Sequence, residues 1–117
     1  MNVDALERTI RYLKTTTGLH VSQDTVHNRK SYDQHIEVSR TGGPMGLFLD
    51  EPALLVDCYA QSGADAYALA LQVANYLSSM PDVDDKVSNV DINSFYRNEW
   101  TDGSPCYSVS VSMVINT

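Results

Sequence analysis

A chain of 117 residues, 43% apolar and 20% charged, is enough for one domain, burying about two-thirds of its unfolded surface without disulfides or metals. That balance, with no long low-complexity tract, argues against a disordered chain, and no apolar run nears the ~20 residues needed to span a bilayer. The net charge of −7 is uneven: residues 1–40 hold six Lys or Arg against five acids, and residues 41–117 hold two against ten. Such a balance excludes a protein that grips nucleic acid through phosphate contacts, and its simplest consequence is solubility.

The opening Met-Asn-Val-Asp-Ala-Leu-Glu-Arg8 lacks the basic-then-apolar layout of a signal peptide, so the chain is expected to stay in the cytoplasm. Asp4-Ala-Leu-Glu7 offers a capping box, followed by an apolar stripe of Val3, Leu6, Ile10 and Leu13. Asp4–Arg8 and Glu7–Arg11 are spaced as i,i+4 ion pairs, and Gly18 suits a left-handed cap. Leu19 to Val21 reads as a short strand. Residues 22–33 are polar and aperiodic, which predicts a surface loop. In Gln34–Arg40, alternation turns Ile36 and Val38 inward and His35, Glu37 and Ser39 outward, predicting a sheet with one wet face.

Thr41-Gly-Gly-Pro-Met-Gly-Leu-Phe-Leu-Asp-Glu-Pro52 has three Gly and two Pro around apolar Met45, Leu47, Phe48 and Leu49. Two readings stand. Leu47 to Leu49 tuck over the core or form a short edge strand, or the segment is a flexible arm whose apolar residues are buried only against a partner. The strand and helix of residues 53–80 come next, and the rest of the chain is organised around them. Leu54, Val56, Cys58 and Ala60 share one strand face; Leu55, Asp57 and Tyr59 share the other. Ser62 and Asp65 form a second capping box. Ala66, Leu69, Ala70, Val73, Leu77 and Met80 then fall at helical spacing, until Pro81 ends the helix. Tyr67 and Leu71 widen the apolar surface enough for a second contact, from another element or another subunit.

Asp82-Val-Asp-Asp85 is an acidic turn. Residues 86–97 read as a strand with a bulge or late start between Val87 and Val90. In 105–116, Tyr107, Val109, Val111, Met113 and Ile115 alternate with Ser108, Ser110, Ser112 and Asn116. The last two strands form an antiparallel hairpin. The expected fold is α+β, in the order α-β-β-β-α-β-β. A mixed or largely antiparallel sheet of about five strands carries two helices on one face.

Chemistry-bearing patterns are few. His20, His27 and His35, with Asp24 and Asp33 nearby, match no metal-binding spacing and read as solvated side chains. Gly42-Gly43 and Gly46 precede no helix with Lys and Ser or Thr, so a phosphate-cradling loop fails on context. Asp57 is either a buried carboxylate or a group on the wet face of the sheet. Cys58 and Cys106 lack metal spacing; a disulfide is one reading, and two small buried thiols the one a cytosolic setting favours. No enzyme, cofactor or metal is expected.

Arg40-Thr-Gly-Gly43, Glu51-Pro52, Leu55-Val-Asp-Cys-Tyr-Ala60, the helix pattern Ala66-x-x-Leu69-Ala70-x-x-Val73-x-x-x-Leu77 and the closing Pro105-x-Tyr107-Ser-Val-Ser-Val111 resemble the tail terminator (tail completion, minor tail protein) family of long-tailed bacteriophages. The resemblance covers about residues 34–117, and its motifs are packing and turn residues. It implies a small α+β domain, six copies of which form a ring on the finished tail tube and offer a surface to the head connector. The implied localisation is the virion tail, assembled in the bacterial cytoplasm from a free phage or prophage gene. The implied partners are the chain itself, the tube protein and the connector, with no sequence-specific nucleic acid binding and no membrane. Arg40, Gly42, Gly43, Pro44, Met45, Gly46, Leu47 and Phe48 would form the interface. Asp82, Asp84, Asp85 and Asp91 are candidates for a lumen that repels DNA phosphates. Two further classes fit the same residues: a head–tail joining or minor capsid protein, and an acidic inhibitor or immunity-type protein that binds a basic partner through residues 82–91.

Overall fold

In the computed structural model, residues 4–23, 32–99 and 103–116 are described. Helix α1 (Ala5–Thr17) begins where the Asp4 carboxylate accepts the amides of Leu6 and Glu7, and ends where Gly18, at φ +70°, returns its N–H to the Lys14 carbonyl. Glu7 and Arg11 pair at 2.8 Å, as their spacing predicts. Arg8 does otherwise. Its guanidinium reaches Asp84, 76 residues away, because the Asp4 carboxylate is occupied by the helix amides. The Tyr12 hydroxyl donates to the Tyr76 carbonyl and joins the two main helices.

Strands β1 (His20–Ser22), β2 (Gln34–Gly42), β3 (Leu49–Asp50), β4 (Ala53–Ala60), β5 (Val87–Glu99) and β6 (Pro105–Asn116) form one mixed sheet. β1 runs parallel to β2; every other pairing is antiparallel. β6 is the hub. One side carries β5 along its length, and the other carries β4 at 106–112 and then β3 at 115–116. Register shifts between Val87 and Asn89 and between Ile92 and Ser94 place bulges in β5, the first of them where the broken alternation predicts it.

Helix α2 (Gly63–Ser78) starts at Ser62, whose hydroxyl accepts the Asp65 amide. It lies on β4, β5 and β6, while α1 lies on β1 and β2 beside it. Between helices and sheet sits a single core. Leu54, Val56 and Cys58 of β4, Val109 and Val111 of β6, and Ala66, Leu69, Ala70, Val73 and Leu77 of α2 are all buried. The fold is therefore α+β, with two short elements beyond the expected order. One is β3. The other is α3 (Met80–Val83): Pro81 occupies its first turn, where the missing N–H costs nothing, so the proline that ends α2 also starts a new turn of helix.

The far face of the sheet is not wet along its whole width. His35 is completely buried and Glu37 nearly so, against the outward, solvated positions that alternation predicts. The cause is the neighbours of β2. His20 of β1 and Tyr59 of β4 stand beside His35 on the same face, and the Tyr32 ring stacks over both histidines. Cys58 and Cys106 are buried free thiols. Of the residues named from the sequence, Val3, Asp24, His27 and positions 100–102 of the predicted turn lie outside the described residues.

Candidate functional site

The segment after β2 is a hairpin built in two parts, a pinned base and an apolar tip. Arg40 pairs with Leu54 and Gly42 with Ala53, which leaves Thr41 as the extra residue of a bulge. Beyond it the Arg40 guanidinium grips Asp50 through two bonds of 2.8 Å, and also donates to the carbonyls of Gly42 and Gly43. Asp50 is only 1% exposed, so this fork is a planar, two-point clamp set partly inside the protein. Asp50 in turn holds the arginine cationic, raising its affinity for the proton.

Gly43 makes the base possible. Its φ is +94°, and a Cβ there would stand 2.0 Å from the Glu51 carbonyl oxygen. Only glycine lets the two sides of the hairpin come this close. The Glu51 amide donates to the Pro44 carbonyl at 2.9 Å, Met45 bridges Asp50, and the Gly46 amide donates to the Leu49 carbonyl at 2.7 Å. Leu49–Asp50 then pairs with the end of β6. Of the two readings of this stretch, the short edge strand describes its return side.

The tip is different. Met45, Leu47 and Phe48 are 62%, 82% and 75% exposed, and Leu49 is also open. Turn apices ordinarily carry Gly, Asn, Asp or Ser; here Leu47 and Phe48 occupy one. Burying each such side chain is worth about 1.5–3 kcal/mol, a gain the subunit leaves unused. The fold thus brings all eight positions expected at an interface into one hairpin, with Arg40, Gly42 and Gly43 at its base and Met45 to Phe48 at its tip.

The four acids do not form one group. Asp82 and Asp85 are exposed at α3 and the turn after it. Asp84 instead binds Arg8 at 2.7 and 2.8 Å on the wall of a groove of about 360 Å³ between α1 and α3. Asp91 pairs with Ser112, so it lies on the sheet face away from the helices, where it accepts a bond from the Asn89 amide group.

That far face holds a polar row that alternation alone does not reveal. His20 Nδ1 lies 3.0 Å from His35 Nδ1, and His35 Nε2 lies 3.3 Å from a Glu37 carboxylate oxygen and 3.4 Å from the Ser22 hydroxyl. Farther along, the Ser108 hydroxyl donates to Asp57 at 2.5 Å, while the Asn98 amide group donates to Ser108. Asp57 is thus on the polar side of its strand, tied to a neighbour. The register assembles the row: Glu37, Asp57 and Ser108 are consecutive cross-strand partners. A buried, satisfied row of this kind fixes strand register. Burial, together with the neighbouring His35 and Lys14, makes His20 harder to protonate than a free imidazole. Burial also pushes the Cys58 thiol well up and raises Cys106 to about 12, so neither is poised as a nucleophile.

Among the described residues, no three His, Cys, Asp or Glu side chains gather as a metal site, and no helix is long and apolar enough to cross a membrane. Fold and site together define a small α+β domain that presents an apolar hairpin on a pinned base. No protein-family model matches the chain, and a comparison with curated proteins finds no match either.

Proposed function

We propose that this chain is a structural virion protein that assembles as a ring on the tail tube of a long-tailed bacteriophage, ends tube growth and provides the head-joining surface. The resemblance of residues 34–117 to tail terminators suggests the setting. The observation that carries the reading is the apolar tip at Met45, Leu47 and Phe48, held out from the subunit on a clamped base. The chemistry is assembly. Apolar side chains are buried only when a partner arrives, and a growing tube end provides a template on which several such contacts form at once. Occupying the tube's docking edge blocks the next tube subunit. An acidic surface suits a channel through which DNA slides without sticking.

Electron microscopy of the purified protein mixed with tail tubes tests this directly. The expected result is density capping one tube end, lost in the double variant Leu47→Ser, Phe48→Ser. Binding to portal-bearing heads and not to tubes would reassign the chain to the head–tail joint. Binding to neither would sink the assembly reading and leave the acidic-inhibitor class, with exposed Asp82, Asp85 and Asp91 as its contact residues.

A further inference from the structure

The two helices leave part of the core uncovered. On β4 and β6 the helix-facing side chains Leu54, Val56, Val109 and Val111 are fully buried. Their counterparts on the edge strand β5 (Val90, Ile92 and Phe95) are only partly covered. Along the same margin α2 exposes Tyr67 and Leu71, one helical turn apart, by 45% and 44%. Tyr67 packs edge-on against Phe95 and Tyr107, with ring centres 5.4 and 5.2 Å apart. An apolar margin with aromatic walls therefore runs between α2 and β5.

We infer that the tip of one copy docks in the α2–β5 margin of the next. The inference deepens the assembly reading and rests on it for the ring, but its support is separate. Charge is the first ground. In a chain of net charge −7, residues 41–49 and 66–81 contain no charged side chain at all. These are the surfaces on which two copies approach with least repulsion. Position is the second. The hairpin joins β6 at Ile115 and Asn116, whereas the aromatic wall includes Tyr107, eight residues back and roughly 25 Å away along the strand. Strand β3 of the hairpin and strand β5 of the margin flank β6 on opposite sides, so tip and margin are different surfaces and a contact between them is head-to-tail, the kind that closes into rings. Area is the third. The tip offers four exposed apolar side chains, Met45, Leu47, Phe48 and Leu49, against the roughly 20–30 residues that each partner gives a standard interface. A lone contact is therefore weak, and a subunit is held firmly only when both its tip and its margin are engaged.

Cysteine cross-linking tests the pairing, because Cys58 and Cys106 are buried and contribute little background. A Phe48→Cys protein mixed with a Leu71→Cys protein under mild oxidation is expected to give at least tenfold more heterodimer than Phe48→Cys mixed with Ser88→Cys. The doubly substituted chain should give a ladder of oligomers and no internal bridge. A yield no higher than the Ser88 control would overturn the docking inference. If tubes were still capped in that event, the tip would serve the tube alone and the proposed function would stand. Efficient cross-linking with no binding to tubes would leave the docking intact and remove the proposed function.

Discussion

Two glycines at positive φ answer different needs, and substitution separates them. At Gly18 a Cβ meets nothing within 4 Å, so Gly18→Ala costs only the left-handed strain, about 1 kcal/mol. At Gly43 the same change drives a methyl into the Glu51 carbonyl and the Ala53 amide, so the base must open. Gly43→Ala should cost about 2 kcal/mol or more in urea unfolding and should loosen the hairpin, read as faster exchange of the Glu51 amide. Equal costs at the two sites would show that contact across the base is unimportant. The cysteines give a pH prediction. Folding raises Cys106 from about 9 to about 12 and Cys58 in the same direction, so the folded chain holds protons that the unfolded chain releases first. Their contribution is complete below pH 9 and is lost as pH climbs toward 12. Stability should therefore decline across that range, less so in Cys106→Ser, and thiol reagents at pH 8 should label the native protein slowly and the urea-unfolded protein at once.

At the scale of elements, what could be read from the sequence is what is settled within a few residues. Asp4, Ser62 and Gly18 cap their helices as predicted because a cap involves only the adjoining turn. The inward faces of β4, α2 and β6 follow from periodicity because each packs on one continuous core. The reading failed where a neighbour distant in sequence decides. Arg8 turns from Asp4 to Asp84, and His35 is sealed by His20, Tyr32 and Tyr59, brought beside it only by strand order. In the candidate site the composition of 41–52 revealed an unusual segment, but not that Arg40 and Asp50 would clamp it. The outer histidine of that stack, His20, has its own consequence. Below pH 6.5 the unfolded chain takes up a proton that folded His20 resists, so stability should fall as pH drops from that point until the folded imidazole is also charged. Thermal unfolding from pH 7.5 to 5 should show the loss, and His20→Gln should flatten it. An unchanged slope would place the acid sensitivity elsewhere.

For the whole molecule, charge and apolar surface pull in opposite directions. Every copy carries −7, so copies repel at long range, while the tip and the α2 face proposed to meet, residues 41–49 and 66–81, carry no charged side chain. Salt shortens the reach of that repulsion, from ~30 Å at 0.01 M to ~8 Å at 0.15 M, and leaves hydrophobic contact in place. Self-association should accordingly strengthen as sodium chloride rises from low to physiological concentration, seen as a higher weight-average mass in sedimentation equilibrium. Leu47→Ser with Phe48→Ser should abolish the rise without moving the urea midpoint, because those side chains bury little in the isolated subunit. Leu54→Ala, at a fully buried position, should instead cost about 2–5 kcal/mol. An acidic inhibitor that holds a basic partner through Asp82, Asp85 and Asp91 would behave the other way, since salt weakens attraction between opposite charges. Association with any partner that weakens steadily with salt, and is indifferent to Leu47 and Phe48, would assign the work of this protein to its carboxylates and take it away from the hairpin.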